Sequence, residues 1–317
     1  MIVAAGRGTR LRPLTDWLPK PALPVRGLPL IAYPLALLAH HGVRDVIVNV
    51  HHLADRLEAA AGRHCPPGVS LSFSREPVLL DTGGGIRRAA SFLRESDPCV
   101  LLGGDMLLDV DLDLLVRRHR EHGAAVTMLL REDPRSAGFG SVGVDRSGVV
   151  CRIGSRFRFG NDPNAEVRSG IYAWANIVSA RALDTLPDRE VFGHVDDWLA
   201  PRLAAGARDV HGVFLPCTWE PVGTLAEYLA ANRRALPLSY LDAEAVARAA
   251  GVRFERDSVI GAGASLGAGA SLDRVVIWDG EQVPDGCQAR DGVFAGGRFL
   301  SLAASSDRSA ALTGEER

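Results

Sequence analysis

Two hexapeptides in tandem, Ile260-Gly261-Ala262-Gly263-Ala264-Ser265 and Leu266-Gly267-Ala268-Gly269-Ala270-Ser271, constrain the fold more than any other stretch of the chain. A branched apolar residue at every sixth position, with small residues between, suits a chain wound in flat faces, each turning one bulky side chain inward and placing small residues at its corners. Leu272, Ile277 or Trp278, and Val283 continue the apolar rungs less regularly. The pattern predicts a short left-handed parallel β-helix over residues 257–300, about two coils long. The alternative is a Gly/Ala-rich linker, which would not hold an apolar phase as far as Val283.

Upstream the periodicity is different. Val46-Ile47-Val48-Asn49-Val50, Val69-Ser70-Leu71-Ser72-Phe73 and Val100-Leu101-Leu102 read as strands. Between them, Leu30 to His41 and Leu53 to Ala61 carry apolar residues at helical spacing, with Gly42 and Gly62 placed as C-terminal caps. This alternation predicts a doubly wound α/β domain, in which ligands bind at the carboxyl ends of the strands. After residue 124 strands dominate: Val142 to Ile153 reads as a hairpin around Asp145-Arg146-Ser147-Gly148, and Val167 to Ala173 as a further strand. Asp109 and Asp111 read as turn and N-cap acids ahead of a helix over 112–121. At 317 residues two domains are the default expectation. The divisions are a first domain over 1–234, a linker over 235–256 with a helix from Asp242 to Ala250, the coil over 257–300, and a frayed tail over 301–317. The opening strand is short for a central one, so the natural start is expected upstream.

The chain opens with an apolar run, Met1 to Ala5, that leads into Gly6-Arg7-Gly8-Thr9-Arg10. Two glycines let a backbone turn sharply and approach an anion, with successive NH groups pointing at its oxygens. A dinucleotide fingerprint would need a third glycine where Leu11 stands and an acid near Arg26; a P-loop would need Gly-Lys-Ser/Thr where Gly8-Thr9-Arg10 stands. Neither fits, and a plain structural turn remains open at this point. Lys20 adds weight to the phosphate reading. It is the only lysine among 36 Lys+Arg residues, held between Pro19 and Pro21. An ammonium is a compact point charge, whereas a guanidinium is a wide planar fork.

The longer string Gly6-x-Gly8-Thr9-Arg10-Leu11-x-Pro13-Leu14-Thr15, with Pro19-Lys20-Pro21-x-Leu23-Pro24-Val25, resembles the signature of the sugar-1-phosphate nucleotidyltransferases. Further likenesses follow in order: Leu28-Pro29-Leu30-Ile31 opening a helix, Asp81-Thr82-Gly83-Gly84-Gly85 as a second glycine loop, Gly103-Gly104-Asp105 ending a strand, Ser169-Gly170-Ile171-Tyr172, and Trp219-x-x-Val222-Gly223-Thr224. The resemblance covers residues 1–234 and implies a Rossmann-like nucleotidyltransferase domain that joins a nucleoside triphosphate to a sugar 1-phosphate, releasing pyrophosphate. It implies that Lys20 and Arg10 are catalytic, holding the reacting phosphates and the departing pyrophosphate. Ala5, Gly6, Gly8 and Thr9, with Thr82, Gly83 and Gly84, would bind the nucleotide. Gly104, Ser169 and Gly170 would meet the sugar, and Asp105 would bind Mg²⁺.

Two departures stand out. The family's second metal-binding aspartate is replaced here by Pro221, leaving Glu220 as a substitute ligand, although neighbours in an extended segment point to opposite faces. A Glu-Lys-Pro that touches the sugar phosphate in many relatives is missing from Cys151 to Phe157, which offers Arg152 and Arg156. The coil resembles that of mannose-1-phosphate guanylyltransferases, and the Thr-Gly-Gly-Gly run that of N-acetylmuramate-1-phosphate uridylyltransferase, so guanylyl transfer is slightly preferred over uridylyl. A catalytically silent homologue that binds a nucleotide sugar and regulates a partner is the second reading. A hexapeptide-repeat acyltransferase is disfavoured because no histidine follows His211.

A net charge of -2 argues against nucleic acid as a partner. No apolar segment reaches the roughly twenty residues that span a bilayer and no signal peptide precedes the first strand, so a cytoplasmic protein without a membrane partner is expected. Cysteines at 65, 99, 151, 217 and 287 have no zinc or disulfide spacing, and the histidines read as helix ends and strand edges. The exposed coil is a candidate surface for homo-oligomerisation.

Overall fold

The computed structural model describes residues 1–135, 140–162 and 164–304. Its opening apolar run becomes the middle of a ten-stranded sheet. Strands β1 (Ile2–Val3), β2 (Asp45–Val50), β3 (Ser70–Arg75) and β4 (Cys99–Gly103) form a parallel half in the spatial order β3-β2-β1-β4. The chain thus moves from β1 toward one edge and returns on the other side of β1 with β4. At such a reversal the connecting segments separate and leave a crevice at the carboxyl ends of the strands. In this register Ile2 lies between the apolar Val48 and Leu102, and Val3 between Asn49 and Gly103.

Alternate residues of β2 face opposite sides, as the pleat demands. Val46, Val48 and Val50 pack with helices α1 (Ala32–His40) and α2 (Ala54–Arg63), while Ile47 packs with Ile86 of α3 (Asp81–Arg88). Helices therefore cover both faces, which a buried parallel sheet requires. Beyond β4 come a ribbon strand β5 (Met106–Asp109), helix α4 (Leu112–Glu121) and strands β6 (Val126–Arg131), β7 (Val142–Val144), β8 (Val150–Ile153) and β9 (Arg168–Val178). Long β9 runs antiparallel to β4, β6 and β7, while β10 (Val210–Phe214) pairs parallel with β6. β11 (Thr218–Pro221) pairs with β5. Asp111 caps α4 by accepting from the Leu114 amide, and Asp242 caps α6 (Ala243–Ala249) in the same way. Between them in sequence, α5 (Leu225–Arg233) starts with a capping box of Thr224 and Glu227.

The hexapeptide region is a parallel coil. Strands β12 (Ser258–Ile260), β13 (Ser271–Ile277) and β14 (Gln288–Ala295) stack with Val259, Val276 and Val293 in register. Successive rungs are 17 residues apart, as in the bond from the Val275 amide to Ser258 Oγ. That is one residue short of three hexapeptides, and it explains why the rungs lose their sixfold phase after Leu272. Ile260, Ile277 and Phe294 fill the inside of the coil, whereas Trp278 turns outward onto the first domain.

Several expectations are corrected. Gly62 does not cap α2, because the helix continues to Arg63; Gly42, at φ +74, does end α1. Leu28–Pro29 does not open a helix: it pairs with Pro24–Val25 across a tight turn in which Arg26 and Gly27 both have positive φ, and α1 begins at Ala32. The Asp81-Gly85 run is the first turn of α3 rather than a loop. Ser301 pairs with Gly292 and Leu302 packs on the cluster between coil and first domain, so the start of the expected tail is part of the fold, while 305–317 lies outside the described residues. The cysteines are free. Among the described residues no helix is long and apolar enough to cross a membrane.

Candidate active site

A cleft of about 340 Å³ opens at the carboxyl ends of β1 and β4. Its floor is Val3, Ala4 and Gly103, and the loop carrying Gly6, Gly8, Thr9 and Arg10 forms one wall. Gly8 has φ +61, and a Cβ there would stand 2.9 Å from Thr15 Cγ2 and 3.0 Å from Lys20 Cβ. Glycine is therefore what lets the loop fold back onto the segment that carries Lys20. The Gly8 carbonyl accepts from Thr15 Oγ1 at 3.0 Å and from the Leu11 amide at 3.0 Å. Among the described residues nothing accepts from the amides of Gly6, Arg7 or Gly8, leaving them available to an anion.

Across this loop, Lys20 Nζ donates to Asp105 Oδ2 at 2.7 Å. The lysine side chain is 12% exposed and the aspartate 46%, so the pair sits at the mouth of the cleft with the carboxylate the more open partner. The Asp105 carbonyl accepts from Val222 N, which docks the Trp219-to-Thr224 segment against β4. Arg10 follows this segment: its Nη2 would stand 3.1 Å from a Cβ at Gly223, so the missing side chain makes room for the guanidinium.

Of the residues expected from sequence, the structure brings together Gly6, Gly8, Thr9, Arg10, Lys20, Thr82 and Asp105 around the cleft. Ala5 and Gly104 are buried beside it, Gly104 donating to the Val3 carbonyl. Gly83 and Gly84 are elsewhere. A Cβ on Gly83 would strike the Phe192 ring at 2.3 Å and one on Gly84 the Glu190 carbonyl at 2.2 Å, so their missing side chains make room for residues 190–192 of the chain itself. Ser169 and Gly170 pair with Gly143 and Val142 of β7, away from the cleft wall. Glu220 is also turned away: its carboxylate meets Arg135 at 3.2 Å, in a cluster where Arg135 also binds Asp133 at 2.8 Å. The Arg135 hydrogen bonds hold the Asp133 carboxyl down at about 2. Among the described residues, three metal-type side chains converge only at His41, Asp111 and Asp113, where Asp111 is a helix cap and Asp113 pairs with His41. The cleft itself supplies one carboxylate, Asp105.

Two features escaped the sequence reading. The first is a buried relay behind the loop. Asn49 Oδ1 accepts from the Ala4 amide at 2.7 Å, Asn49 Nδ2 donates to Glu76 Oε1 at 2.8 Å, and Glu76 Oε2 accepts from the Leu80 amide at 3.1 Å. This ties the end of β1 to the start of α3. A polar residue inside the apolar run of β2 was the available signal. The second is Trp174. It has φ +54, seldom seen for a bulky residue, where the β9–β6 register slips between Tyr172 and Asn176. The bulge places Trp174 on the cleft, its ring 5.3 Å from Tyr172 and 4.6 Å from His194. His194 is buried, its Nε2 has no partner among the described residues, and burial pushes its ring down to about 4, so it stays neutral. An aromatic in a strand gives no sequence signal that separates such a residue from core.

A profile of the nucleotidyl transferase family matches residues 1–236. A UTP–glucose-1-phosphate uridylyltransferase of Synechocystis is 30% identical over 248 residues, 74% of this chain and 63% of the relative. A mannose-1-phosphate guanylyltransferase of Mycobacterium tuberculosis is 31% identical over 303 residues, 90% of this chain and 81% of the relative. The crystal structure of HddC from Yersinia pseudotuberculosis superposes with a TM-score of 0.60 at 21% identity, covering 73% of this chain and 96% of that one, and shows a shared fold. The signature loop, the switch-point cleft and these likenesses converge: the chain belongs to the nucleotidyl transferase family, among the sugar-1-phosphate nucleotidyltransferases.

Proposed function

We propose that the protein transfers a nucleotidyl group from a nucleoside triphosphate to a sugar 1-phosphate, with Mg²⁺ as cofactor. The observation that carries this reading is the Lys20–Asp105 pair set across one cleft from the open amides of Gly6 to Gly8. A sugar-phosphate oxygen attacks the α-phosphorus, the new P–O bond forms, and the bond to the bridging oxygen of the β-phosphate breaks as pyrophosphate leaves. The barrier is electrostatic, since two anions must meet and the leaving group gathers charge, so positioning and preorganised positive charge suffice. Lys20 bridges the sugar phosphate and the α-phosphoryl oxygens, and Arg10 with the loop amides receives the pyrophosphate.

Asp105 suits Mg²⁺, which is commonly held by one or two carboxylates and completed by substrate phosphates. When bound, the ion supplies Lewis-acid charge to phosphate oxygens. Trp174 provides an aromatic platform for the sugar ring on the β9 side of the cleft. Guanylyl transfer is favoured by the extent of likeness to the mycobacterial guanylyltransferase, which runs over 303 residues. A second reading, a silent nucleotide-sugar-binding regulator, draws its support from Pro221 and from the engagement of Glu220 with Arg135.

Pyrophosphate release measured across the common triphosphates and several sugar 1-phosphates, with and without Mg²⁺, tests both. Turnover that requires Mg²⁺ and peaks with GTP and mannose 1-phosphate is the expected result. No release with any pair, together with tight nucleotide-sugar binding, replaces the first reading with the second.

A further inference from the structure

The short helix Leu14–Trp17 stands between the glycine loop and Lys20, and its two sides are held by different parts of the molecule. On one side, buried Thr15 hydrogen-bonds the Gly8 carbonyl at 3.0 Å, and His52 Nε2 donates to the Thr15 carbonyl at 2.7 Å. Gly8 in turn lies against both Thr15 and the Lys20 Cβ. On the other side, Trp17 meets the coil. Its ring is edge-on to Trp278 at 6.1 Å and 86°, the Arg298 guanidinium stands 4.9 Å over it, and a Cβ on Gly296 would fall 2.6 Å from its Cε2.

A second route reaches the same strap. Trp278 Nε1 donates to Tyr228 Oη at 3.0 Å, and Tyr228 Oη donates to the Pro24 carbonyl at 2.7 Å, just after Lys20. One apolar cluster contains Leu11, Leu14 and Leu23 of the strap together with Val276, Trp278 and Val293 of the coil. Packed interiors transmit displacement because they have no slack to absorb it.

We propose that the coil sets the working position of the Gly8 loop and of Lys20 through Trp17, which acts as a positioning residue. The proposal rests on the nucleotidyl-transfer reading for its catalytic consequence, but not for its structural one. Lys20 is the only lysine, so its rate of acetylation by an amine reagent, read by mass spectrometry of the peptide that contains it, reports directly on its surroundings.

The test uses the full chain with Trp17→Ala, Trp17→Phe and Val283→Ala. Val283 lies in the coil interior beside Leu266 and is in a cluster separate from Trp17, so its truncation weakens the coil without touching the strap. Trp17→Ala is expected to lower turnover about 10-fold, since small misplacements of reacting groups are costly, and to speed both Lys20 acetylation and amide exchange over residues 6–11. Trp17→Phe restores most of each. Val283→Ala lowers the melting temperature while leaving turnover and acetylation as in wild type. Folded Trp17→Ala with wild-type acetylation and exchange overturns the proposal, as does a Val283→Ala protein that matches Trp17→Ala in every readout. Arg298→Ala, a milder change to the same contact, decides the matter in the same direction should Trp17→Ala fail to fold. A wild-type protein that releases no pyrophosphate would sink the functional reading alone, because acetylation and exchange remain measurable.

Discussion

Lys20 Nζ lies 2.7 Å from Asp105 Oδ2, so the one ammonium among the chain's basic side chains and the one carboxylate of the cleft neutralise each other before any phosphate arrives. A compact charge can leave that carboxylate for a phosphate oxygen by a small rotation of its stem. A guanidinium in the same place would hold the carboxylate with two parallel bonds and release it less readily. Lys20→Arg is therefore expected to lose about 10²–10³-fold in turnover although charge is kept. Steady-state pyrophosphate release reads this, and an arginine variant with wild-type turnover would remove Lys20 from the assigned role.

Pro221 stands opposite Met106 in the β5–β11 ribbon, one residue from Asp105 across the pair. Proline offers no ligand, so a metal there would lean on Asp105 and the substrate phosphates. Pro221→Asp should lower the Mg²⁺ concentration needed for half-maximal rate by several-fold, roughly 3–10. An unchanged Mg²⁺ dependence, measured on a variant with wild-type melting temperature, would show that position 221 does not face the ion.

How much of this site could be read from sequence depends on how local each feature is. Gly6, Gly8, Arg10 and Lys20 were legible because they occupy one contiguous string whose turn and charge requirements are short-range. Gly83 and Gly84 fall outside the cleft lining for the complementary reason. A run of glycines marks a close backbone approach, but only the fold shows that the approaching backbone is residues 190–192. The coil was visible in its hexapeptides, while the 17-residue rung spacing needed the register. Trp174 depends on a bulge that leaves no local pattern, whereas Asn49, polar inside the apolar run of β2, signals a buried partner without naming Glu76, 27 residues away.

Trp174 is held at φ +54 behind Tyr172 and His194 with its ring on the cleft. Trp174→Ala should raise KM for the sugar 1-phosphate about 10-fold, a loss on the order of 1–2 kcal/mol as the apolar C–H face of the sugar loses its cover, with KM for the triphosphate within twofold. The opposite split, with the triphosphate affected and the sugar spared, would move Trp174 to the nucleotide side.

Two buried histidines make stability depend on pH. His119 is 2% exposed and bonded at both nitrogens, to Thr127 Oγ1 at 2.9 Å and Ser179 Oγ at 2.9 Å. Ser179 Oγ donates its proton to the Ala124 carbonyl at 3.0 Å, so His119 Nε2 is the donor and Nδ1 accepts from Thr127. Burial pushes His119 down to about 4, and His194 likewise. Unfolded chains bind these protons near pH 6.5 and the folded one does not, so the stabilisation is complete above about 6.5 and disappears as pH falls toward 4. Urea unfolding at pH 7 and pH 5 should differ by on the order of 4 kcal/mol, about 2 for each ring. Asp133, held down to about 2, acts only below its ordinary value of 3.8 and does not confuse this window. Equal stability at the two pH values would mean that the histidines are solvated.

Asn49 and Glu76 join the end of β1 to the start of α3, and both are buried, at 1% and 4% exposure. Glu76→Gln keeps the volume but leaves one amide oxygen to serve two donors, Asn49 Nδ2 and the Leu80 amide. One donor is then faced by an NH₂ group, a loss of about 1–3 kcal/mol. Asn49→Ala removes the acceptor of the Ala4 amide as well and should cost about 2–4 kcal/mol. Because Ala4 lines the cleft directly before the glycine loop, turnover should fall along with stability in Asn49→Ala. Asn49→Asp separates the two effects: it keeps the acceptor for Ala4 but sets a second carboxylate against Glu76, so the pair must share a proton and the variant's stability deficit relative to wild type should be smaller at pH 5 than at pH 8. Denaturation of the three variants at both pH values, alongside pyrophosphate release, measures each consequence. An Asn49→Asp deficit relative to wild type that is the same at pH 8 as at pH 5 would show that the relay is open to water and does not hold the loop.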